Sequence, residues 1–422
     1  MTIQLPYGRG TVSLELPEER VAAVLRGEGL KTEPEAAAGE LVRRSMERPI
    51  GSPRLRELAK GRRKVVLIAS DHTRPVPSKV IVPAMLREIR EGNPEAEVTI
   101  LIATGCHRHT TREELTAKFG QDIVDREEIV VHDCDGSDMA YLGRLPSGGE
   151  LWINALAAEA DLLVAEGFIE PHFFAGFSGG RKSVLPGIAS RACVRYNHNS
   201  SFMDDPHARS GELERNPIHR DMLFAARAAK LAYIVNVVLN TRGEVIASFA
   251  GDCGEAHRAG AAYVAEKMSC SAKQTEIVIT TNNGYPMDQN LYQMVKGMCT
   301  AERCCQPGGV IIAVGKCEDG LGGEEFYRTF QENSSPGAIL EVFRKTPPQN
   351  TRIDQWQSHI LARIMENHRI VLLSDLDQRT VRDFKMIPAA SMEEALAAAD
   401  RLLGHDSGAV TVIPEGISVI IR

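Results

Sequence analysis

The sequence lacks the features that would place it in a membrane or a secretory pathway. No apolar run approaches the roughly 18 to 20 residues that a membrane helix requires. The N-terminal stretch MTIQLPYGRGTVSLEL has no basic segment followed by an apolar one, as a signal peptide would. Basic residues are not in surplus, because 49 Lys and Arg stand against 56 Asp and Glu and give a net charge of −7. We therefore expect a cytoplasmic protein with neither nucleic acid nor a membrane as partner.

Paired cysteines are also missing. The nine cysteines are an odd number and none forms a CxxC pair, so neither a disulfide framework nor a cysteine zinc site is expected. The tightest cluster, Cys299, Cys304 and Cys305, has no second pair and lies in a helical stretch. We interpret these three residues as buried reduced thiols.

The apolar runs predict two successive α/β units. A length of 422 residues with 43% hydrophobic content is enough for more than one core. The runs at 63–70 and 98–104 flank a helical stretch at 79–91 and form a βαβ pattern. Further apolar runs lie at 129–131, 161–165 and 233–239, and the last has a hairpin partner at 243–248. A polar stretch at 268–274 interrupts the pattern. The runs then resume at 277–280, 309–314, 368–373 and 409–412. We predict two α/β domains with largely parallel sheets, at 1–267 and 275–422, with the closing run 416–422 able to pair in either one.

Polar segments follow three of the predicted strands, at 71–75, 105–110 and 170–183. Ligands of open α/β sheets bind beyond the carboxyl ends of the strands, so these segments are candidate sites. The guanidinium of Arg74 suits a carboxylate, although the first segment also reads as an ordinary capped turn. His107 and His109 would lie on one side of an extended segment. Both a zinc site and an ordinary surface loop remain as interpretations of this segment.

Glycines at 176, 179 and 180 precede Lys182 and Ser183 in the third segment. Such a loop can direct backbone N–H groups at a phosphate. A Walker-type nucleotide loop is disfavoured, because Arg181 stands where that motif requires glycine before the lysine. His198 follows Lys182 by sixteen residues, and a lone histidine is more often structural than a ligand.

Taken together, these segments resemble the nickel-pincer lactate racemases and their relatives. The resemblance includes a fifth motif, GYPMDQNLYQMVKG at 284–297, and covers most of the chain. The spacings of ten residues from His172 to Lys182 and of sixteen from Lys182 to His198 are similar to those of that family. Trp356 is similar to a tryptophan that those enzymes place near the substrate.

The resemblance implies a cofactor. It would be a nickel pincer of the pyridinium-3,5-bisthiocarboxylic acid mononucleotide type, covalently attached at Lys182, with His198 as the remaining nickel ligand. One imidazole suffices for a nearly square-planar site whose other donors belong to the cofactor. Asp71, Gly176, Gly179, Gly180 and Ser183 are then expected to complete the cofactor site, the glycines by accepting its phosphate and Asp71 by orienting a neighbouring histidine or arginine.

The resemblance also implies racemisation or epimerisation of a small 2-hydroxy acid by reversible hydride transfer through a 2-keto acid. His107 and His172 would be the two proton-transfer groups, one for each enantiomer. Arg74 and Lys296 would bind the substrate carboxylate, with Tyr292, Gln293 and Trp356 nearby and the active site in the cleft between the domains. Lactate is the expected substrate, and malate or another 2-hydroxy acid is the alternative.

Two hypotheses from other classes remain at this point. A zinc-dependent hydrolase could use His107 and His109, but it gives Lys182 and the glycine-rich segment no role. A non-catalytic binding protein of the same fold would not need both histidines together with Lys182 and His198. The expected partners are a small 2-hydroxy acid and the enzymes that synthesise the cofactor.

Overall fold

The computed structural model describes residues 1–422, except for the side chains of Glu28 and Leu30. The chain forms two compact units. The N-terminal unit comprises Leu30–His198 and Pro206–Glu266, and the C-terminal unit comprises Met1–Gly29, Asn199–Asp205 and Lys267–Arg422.

The strands are named in chain order. They are β1 (Thr2–Tyr7), β2 (Gly10–Glu15), β3 (Val21–Val24), β4 (Lys64–Ser70), β5 (Glu97–Ala103), β6 (Glu128–Val131), β7 (Met139–Arg144), β8 (Glu150–Asn154), β9 (Leu162–Phe168), β10 (Pro171–His172), β11 (Gly176–Phe177), β12 (Leu231–Leu239), β13 (Val245–Gly251), β14 (Ser269–Cys270), β15 (Thr275–Thr281), β16 (Cys305–Val314), β17 (Arg369–Leu373), β18 (Ile387–Ala389), β19 (Val410–Ile413) and β20 (Ile420–Ile421).

The helices are named in the same way. They are α1 (Ala38–Glu47), α2 (Leu55–Leu58), α3 (Ser78–Gly92), α4 (Arg112–Phe119), α5 (Gln121–Arg126), α6 (Ala155–Ala158), α7 (Arg191–Asn197), α8 (Ser200–Asp204), α9 (Pro217–Ala228), α10 (Glu255–Met268), α11 (Leu291–Glu302), α12 (Glu324–Glu332), α13 (Pro336–Lys345), α14 (Gln355–Asn367), α15 (Gln378–Asp383) and α16 (Met392–Leu403). Short 3₁₀ helices lie at Glu18–Arg20, Glu28–Lys31, Gly180–Ser183, Pro348–Asn350 and Gly416–Ser418.

The N-terminal unit is built on a six-stranded sheet with the order β13-β12-β9-β4-β5-β6. Its strands are parallel except for β13, which forms an antiparallel hairpin with β12. The central strand β4 is an unbroken apolar run that is buried from Val65 to Ala69, as expected for a parallel strand covered on both faces. Helices α1 and α3 pack their buried faces against this core.

The C-terminal unit is built on a second six-stranded sheet, with the order β18-β17-β16-β15-β19-β3. All five pairings are parallel. The N-terminal hairpin of β1 and β2 packs Ile3, Leu5 and Leu14 into the core of this unit. Helix α8 belongs to the same unit, because Asp204 binds both His359 of α14 and Arg344 of α13 at 2.9 and 2.8 Å.

The predicted fold class of α/β with largely parallel sheets is confirmed. The domain limits differ from the prediction at the start of the chain, because the first 29 residues join the C-terminal unit, where β3 pairs with β19. The closing run does not return to the N-terminal unit, since β20 pairs with β14 in the C-terminal unit. No helix in the described part of the chain is long and apolar enough to cross a membrane.

We predict that Leu5→Ala destabilises the C-terminal unit by about 3 kcal/mol, because it leaves a cavity in the core that Leu5 fills with no exposed surface. The measurement is the urea midpoint of unfolding of the full chain. Thr2→Ala, on the exposed side of the same strand, is the control. Equal midpoints for the two variants would show that the hairpin is not part of this core.

Candidate functional site

The three predicted polar segments follow neighbouring strands. Strands β9, β4 and β5 lie side by side and parallel, so their carboxyl ends share one edge of the sheet. The strand order runs outward from β4 to β5 and β6 on one side and to β9 and β12 on the other. This reversal is the topological switch point at which open α/β sheets bind ligands. The 3₁₀ helix Gly180–Ser183, which carries Lys182, contacts both β4 and β9 at this edge.

Asp71 and His107 form a hydrogen-bonded pair directly after β4 and β5. The Nδ1 atom of His107 lies 2.6 Å from Oδ2 of Asp71, and the backbone N and Oγ1 of Thr73 donate to Oδ1 at 3.1 and 2.6 Å. Burial acts to raise the pKa of Asp71, but the hydrogen bonds from His107 and Thr73 outweigh it and the pKa lies below its usual value. The ionised carboxylate therefore accepts the Nδ1 proton of His107 and leaves the Nε2 lone pair directed away from Asp71.

Three other predicted residues meet around the ring of Phe174. The ring centroid of His172 lies 4.5 Å from that of Phe174, and the ring of His198 lies 5.1 Å away on an edge-to-face contact. The Nζ atom of Lys182 lies 5.8 Å from the same centroid. His172, Lys182 and His198 thus come together around one aromatic ring.

His198 is held as a neutral imidazole. It follows the last turn of α7 and is 5% exposed. Burial, and then the charge of Lys182, lower its pKa to about 3. A neutral ring is the form that coordinates a metal ion.

His172 differs from His107 in the nitrogen that carries its proton. The backbone N–H of Ala175 donates to Nδ1 of His172 at 3.2 Å. Because Nδ1 accepts this bond, the proton of the neutral ring is assigned to Nε2. The two histidines therefore have opposite tautomers.

The glycines of the third segment have a structural explanation. Gly176, at φ +79°, closes the hairpin of β10 and β11, and a Cβ atom there would lie 2.1 Å from the carbonyl oxygen of Glu212. Gly179 and Gly180 also have positive φ and pack against Asn236 and His257. The N–H of Gly180 donates to Oδ1 of Asn236 at 2.7 Å. This N–H is hydrogen-bonded within the protein. The prediction that Gly180 directs its N–H at a phosphate therefore needs correction.

Arg181 is the residue whose role sequence reasoning missed. Its side chain is fully buried and donates to the carbonyl oxygens of Ala175 and Gly179 at 2.8 and 3.2 Å and to Nδ1 of His219 at 3.0 Å. Burial lowers its pKa to about 9. The sequence signal was present, because arginine interrupts the P-loop pattern between Gly180 and Lys182. Its physical function is to hold the chain before Lys182 in place.

Glu166 is a second missed residue, on β9. Its buried carboxylate accepts hydrogen bonds from the backbone N and Oγ of Ser70 and from Oγ of Ser78, at 2.8 to 2.9 Å. These bonds tie the end of β4 and the start of α3 to β9. Glu166 therefore fixes the point from which Asp71 and Arg74 leave the sheet.

Arg74 borders a cavity of about 500 Å³ in the N-terminal unit. Its side chain is exposed, and Lys79 and Lys118 also line the cavity. The one carboxylate there, Glu114, is held by Arg108 at 2.6 and 2.9 Å. The excess of cationic side chains suits an anionic ligand.

The predicted residues of the C-terminal unit lie on α11 and α14. Asn290 caps α11 by accepting from the backbone N of Gln293 at 3.0 Å. The hydroxyl of Tyr292 donates to Asp354 at 2.8 Å, and Trp356 also contacts this hydroxyl. Lys296 is half-buried one turn further along the helix. Tyr292 and Trp356 are therefore neighbours, although the tyrosine hydroxyl is engaged within the unit.

The zinc alternative finds no support in the geometry. Among the residues that the structure describes, the one group of three potential ligands within reach of a single ion is Asp133, Cys134 and Asp135, which includes neither His107 nor His109. His107 instead turns its Nδ1 to Asp71. Cys299, Cys304 and Cys305 are buried cysteines outside any disulfide, in agreement with the sequence interpretation.

Comparison with known proteins gives consistent matches over the whole chain. Residues 7–211 match the model of the lactate racemase N-terminal domain, and residues 270–421 match that of the lactate racemase C-terminal domain. A lactate racemase from Thermoanaerobacterium thermosaccharolyticum is 50% identical over 422 residues, covering 100% of this chain and 99% of that protein. A lactate racemase from Lactiplantibacillus plantarum is 47% identical over 424 residues, with both chains fully covered.

Solved structures agree with these matches. The structure of the lactate racemase apoprotein from T. thermosaccharolyticum superimposes with a TM-score of 0.96 at 49% identity, covering 100% of both chains. A crystal structure of a protein from Thermotoga maritima gives a TM-score of 0.65 at 18% identity over 93% of this chain and 100% of that one. At that identity the second match supports the fold alone.

We predict that the stability of the N-terminal unit falls as the pH is lowered from 7 to 5, in part because of His219. Burial, and then the charge of Arg181, lower the folded-state pKa of His219 to about 3. The unfolded chain takes up this proton near pH 6.5, so stability rises with pH between about 3 and 6.5 and is lost on acidification.

His219→Gln is expected to remove about 2 kcal/mol of the pH dependence between pH 7 and pH 5, because glutamine can still accept from Arg181 but does not titrate. Urea unfolding at pH 7 and pH 5 measures the difference. His405→Gln, at a histidine whose side chain is 41% exposed, is the control. An unchanged pH dependence in the His219 variant would contradict the assignment.

Proposed function

The chain belongs to the lactate racemase family and is therefore an isomerase, and we propose that it interconverts the enantiomers of lactate. The observation that carries the proposal is the convergence of His172, Lys182 and His198 on the ring of Phe174. Malate or another small 2-hydroxy acid is the alternative substrate within the same chemistry. The family implies a metal-dependent cofactor, and this cluster is where the N-terminal unit is suited to hold one.

We propose that the cofactor is a nickel pincer of the pyridinium mononucleotide type, tethered at Lys182 with His198 as a nickel ligand. The residues fit such a group, because His198 is buried and neutral and Lys182 is a half-buried amine beside it. Ser183 and the Gly-rich segment would contact the mononucleotide, apart from the N–H of Gly180. When bound, this group supplies a reversible acceptor for the hydride of the substrate carbon.

The loop that carries His107 is anchored close to Lys182. The backbone N of Gly105 donates to the carbonyl oxygen of Gly187 at 2.9 Å, and Gly187 N donates to the carbonyl oxygen of Lys182 at 3.1 Å. Two hydrogen bonds thus connect the chain just before His107 with the tether residue. This connection supports a shared site for His107 and the Phe174 cluster.

His107 and His172 are proposed as the proton-transfer groups. The Nε2 lone pair of His107 is set to remove the hydroxyl proton, because Asp71 holds the proton on Nδ1. His172 can act as a base at Nε2 only after its proton moves to Nδ1, which breaks the hydrogen bond from Ala175. We therefore propose that His107 can accept a proton at Nε2 directly, whereas His172 must first change its tautomer.

We propose substrate-binding residues in the N-terminal unit and in the C-terminal motif at 284–297. Arg74 would bind the carboxylate through its planar guanidinium, supported by the cationic lining of the adjacent cavity. In the C-terminal motif, Lys296 is proposed as a further carboxylate-binding residue, and Tyr292, Gln293 and Trp356 as further substrate-binding residues. We further propose that the protein works in the cytoplasm with the enzymes that synthesise the cofactor as partners.

The proposed tether predicts that Lys182→Ala abolishes both cofactor attachment and racemisation. The chain would be produced together with the cofactor-synthesis enzymes and measured by intact mass, nickel content and racemisation of pure L- or D-lactate and malate. Lys182→Arg should also lose the adduct, because arginine keeps the charge but not the amine.

Lys230→Ala, at an exposed lysine, is the matched control and should retain the adduct. An adduct of the same mass on the Lys182 variants would refute the tether. Wild-type protein that carries the adduct but racemises neither acid would refute the substrate class.

The opposite tautomers predict that His107→Ala and His172→Ala each reduce complete racemisation by about 100-fold or more. Each variant should still oxidise one enantiomer to the 2-keto acid, with opposite preferences. The surviving half reaction should be about fivefold faster in His172→Ala, because His107 does not have to break a hydrogen bond worth about 1 kcal/mol before it accepts a proton. Rapid mixing with single enantiomers measures this, and identical preferences would show that one base serves both.

A further inference from the structure

Two cysteines that the proposed function does not use lie together beside the loop of His107. Strands β5 and β6 pair in parallel up to Ile102 and Val131. Beyond the strands, Oγ1 of Thr104 donates to the carbonyl oxygen of His132 at 2.7 Å. Cys106 and Cys134 each lie two residues past this bond. The two thiols shift each other's pKa through a side-chain hydrogen bond, so the side chains of Cys106 and Cys134 are neighbours.

The surroundings of this pair favour a thiolate at Cys134. The backbone N of Arg191 donates to the carbonyl oxygen of Cys134 at 3.0 Å, and its guanidinium lies close enough to favour the charged sulfur. The hydrogen bond with Cys106 and then the charge of Arg191, which also pairs with Asp135 at 2.6 Å, lower the pKa of Cys134 against burial and the carboxylates of Asp135 and Asp133. The same hydrogen bond, and then burial, raise the pKa of Cys106. Cys134 is thus the nucleophile and Cys106 the proton donor.

Five other buried cysteines have a raised pKa, in contrast to Cys134. Burial raises the pKa of Cys193, Cys304, Cys305 and Cys317 to about 12 and that of Cys253 to about 11. Their thiols stay protonated at neutral pH and react slowly with oxidants. Cys134 remains 7% exposed, and its neighbour Cys106 is half-buried, so a small oxidant can reach the pair.

We propose that Cys106 and Cys134 are a redox-active pair that a hydroperoxide converts into a reversible disulfide. The sulfur of Cys134 attacks one oxygen of the peroxide, the O–O bond breaks, and a sulfenic acid and water form once the leaving oxygen is protonated. The sulfur of Cys106 then displaces the sulfenic hydroxyl, which leaves as a second water. Two thiols are oxidised to one disulfide while one hydrogen peroxide is reduced to two waters, and an added dithiol reverses the change.

The disulfide would act on the neighbouring histidine. A disulfide has an S–S length of about 2.05 Å, so its formation draws the two sulfur atoms together. Cys106 directly precedes His107, whose 2.6 Å contact with Asp71 depends on the path of this loop. Oxidation is therefore expected to displace His107 and lower racemisation. This consequence rests on the proposed function, whereas formation of the disulfide does not.

The experiment treats the full-length protein with hydrogen peroxide, alkylates the remaining thiols and maps the peptides without reduction. We expect a cross-linked peptide pair that contains Cys106 and Cys134, with a mass 2 Da below the sum of the free peptides, that disappears after dithiothreitol. In Cys106→Ala the sulfenic acid cannot be resolved, so dimedone should label Cys134. Cys253→Ala is the control and should still form the cross-link.

Absence of the cross-link while other cysteines or methionines gain oxygen would overturn the proposal, as would a lack of dimedone label on Cys134 in Cys106→Ala. The coupling to His107 is tested separately with cofactor-loaded protein. Peroxide should lower wild-type racemisation at least fivefold more than that of Cys134→Ser, since damage to the cofactor would affect both equally. Equal losses alongside a mapped disulfide would refute the coupling and leave the redox pair standing.

Discussion

The buried guanidinium of Arg181 organises the segment on which the candidate site depends. A buried cation requires every donor to be satisfied, and here carbonyl oxygens from Ala175 to Gly179 and the ring of His219 supply the acceptors. The segment that surrounds the Arg181 side chain begins at the hairpin of His172 and ends at the 3₁₀ helix of Lys182. Their separation is therefore set by a hydrogen-bonded charge inside the unit, and burial, and then that charge, keep His219 neutral.

The two proposed proton-transfer histidines illustrate how a backbone can make similar side chains unequal. His107 is oriented by a carboxylate whose own charge is stabilised by Thr73, and His172 is oriented by a main-chain N–H. The carboxylate accepts the Nδ1 proton and leaves Nε2 as the acceptor, whereas the backbone donor at Nδ1 assigns the proton to Nε2. Under the proposed mechanism, protons are transferred on both faces of the substrate, so this asymmetry would have to be overcome in one direction of the reaction.

The sequence was sufficient for the features that depend on local pattern. Buried parallel strands such as β4 and β5 read as unbroken apolar runs, and the polar residues that follow them mark the edge at which Asp71 and His107 meet. The membership of the first 29 residues in the C-terminal unit was not predictable, because it depends on pairing across hundreds of residues between β3 and β19. The role of Arg181 was hidden for a similar reason, since its partner His219 lies 38 residues away. Gly180 was assigned to a phosphate, but its N–H is taken by Asn236, a buried residue of β12 that carries no motif.

The division of the chain also sets an order for its folding during synthesis. Strand β3 is synthesised roughly 390 residues before its partner β19, and at about 5 to 20 residues per second this delay is roughly 20 to 80 s. During that time the N-terminal unit can complete its sheet. Strands β1 to β3 have no core to pack against, because the other strands of the C-terminal unit have not yet been synthesised. The apolar residues of the β1–β2 hairpin are thus synthesised long before the strands of the core that buries them. A circular permutant that begins near residue 30 and joins the old termini would synthesise the hairpin last, next to the strand it needs.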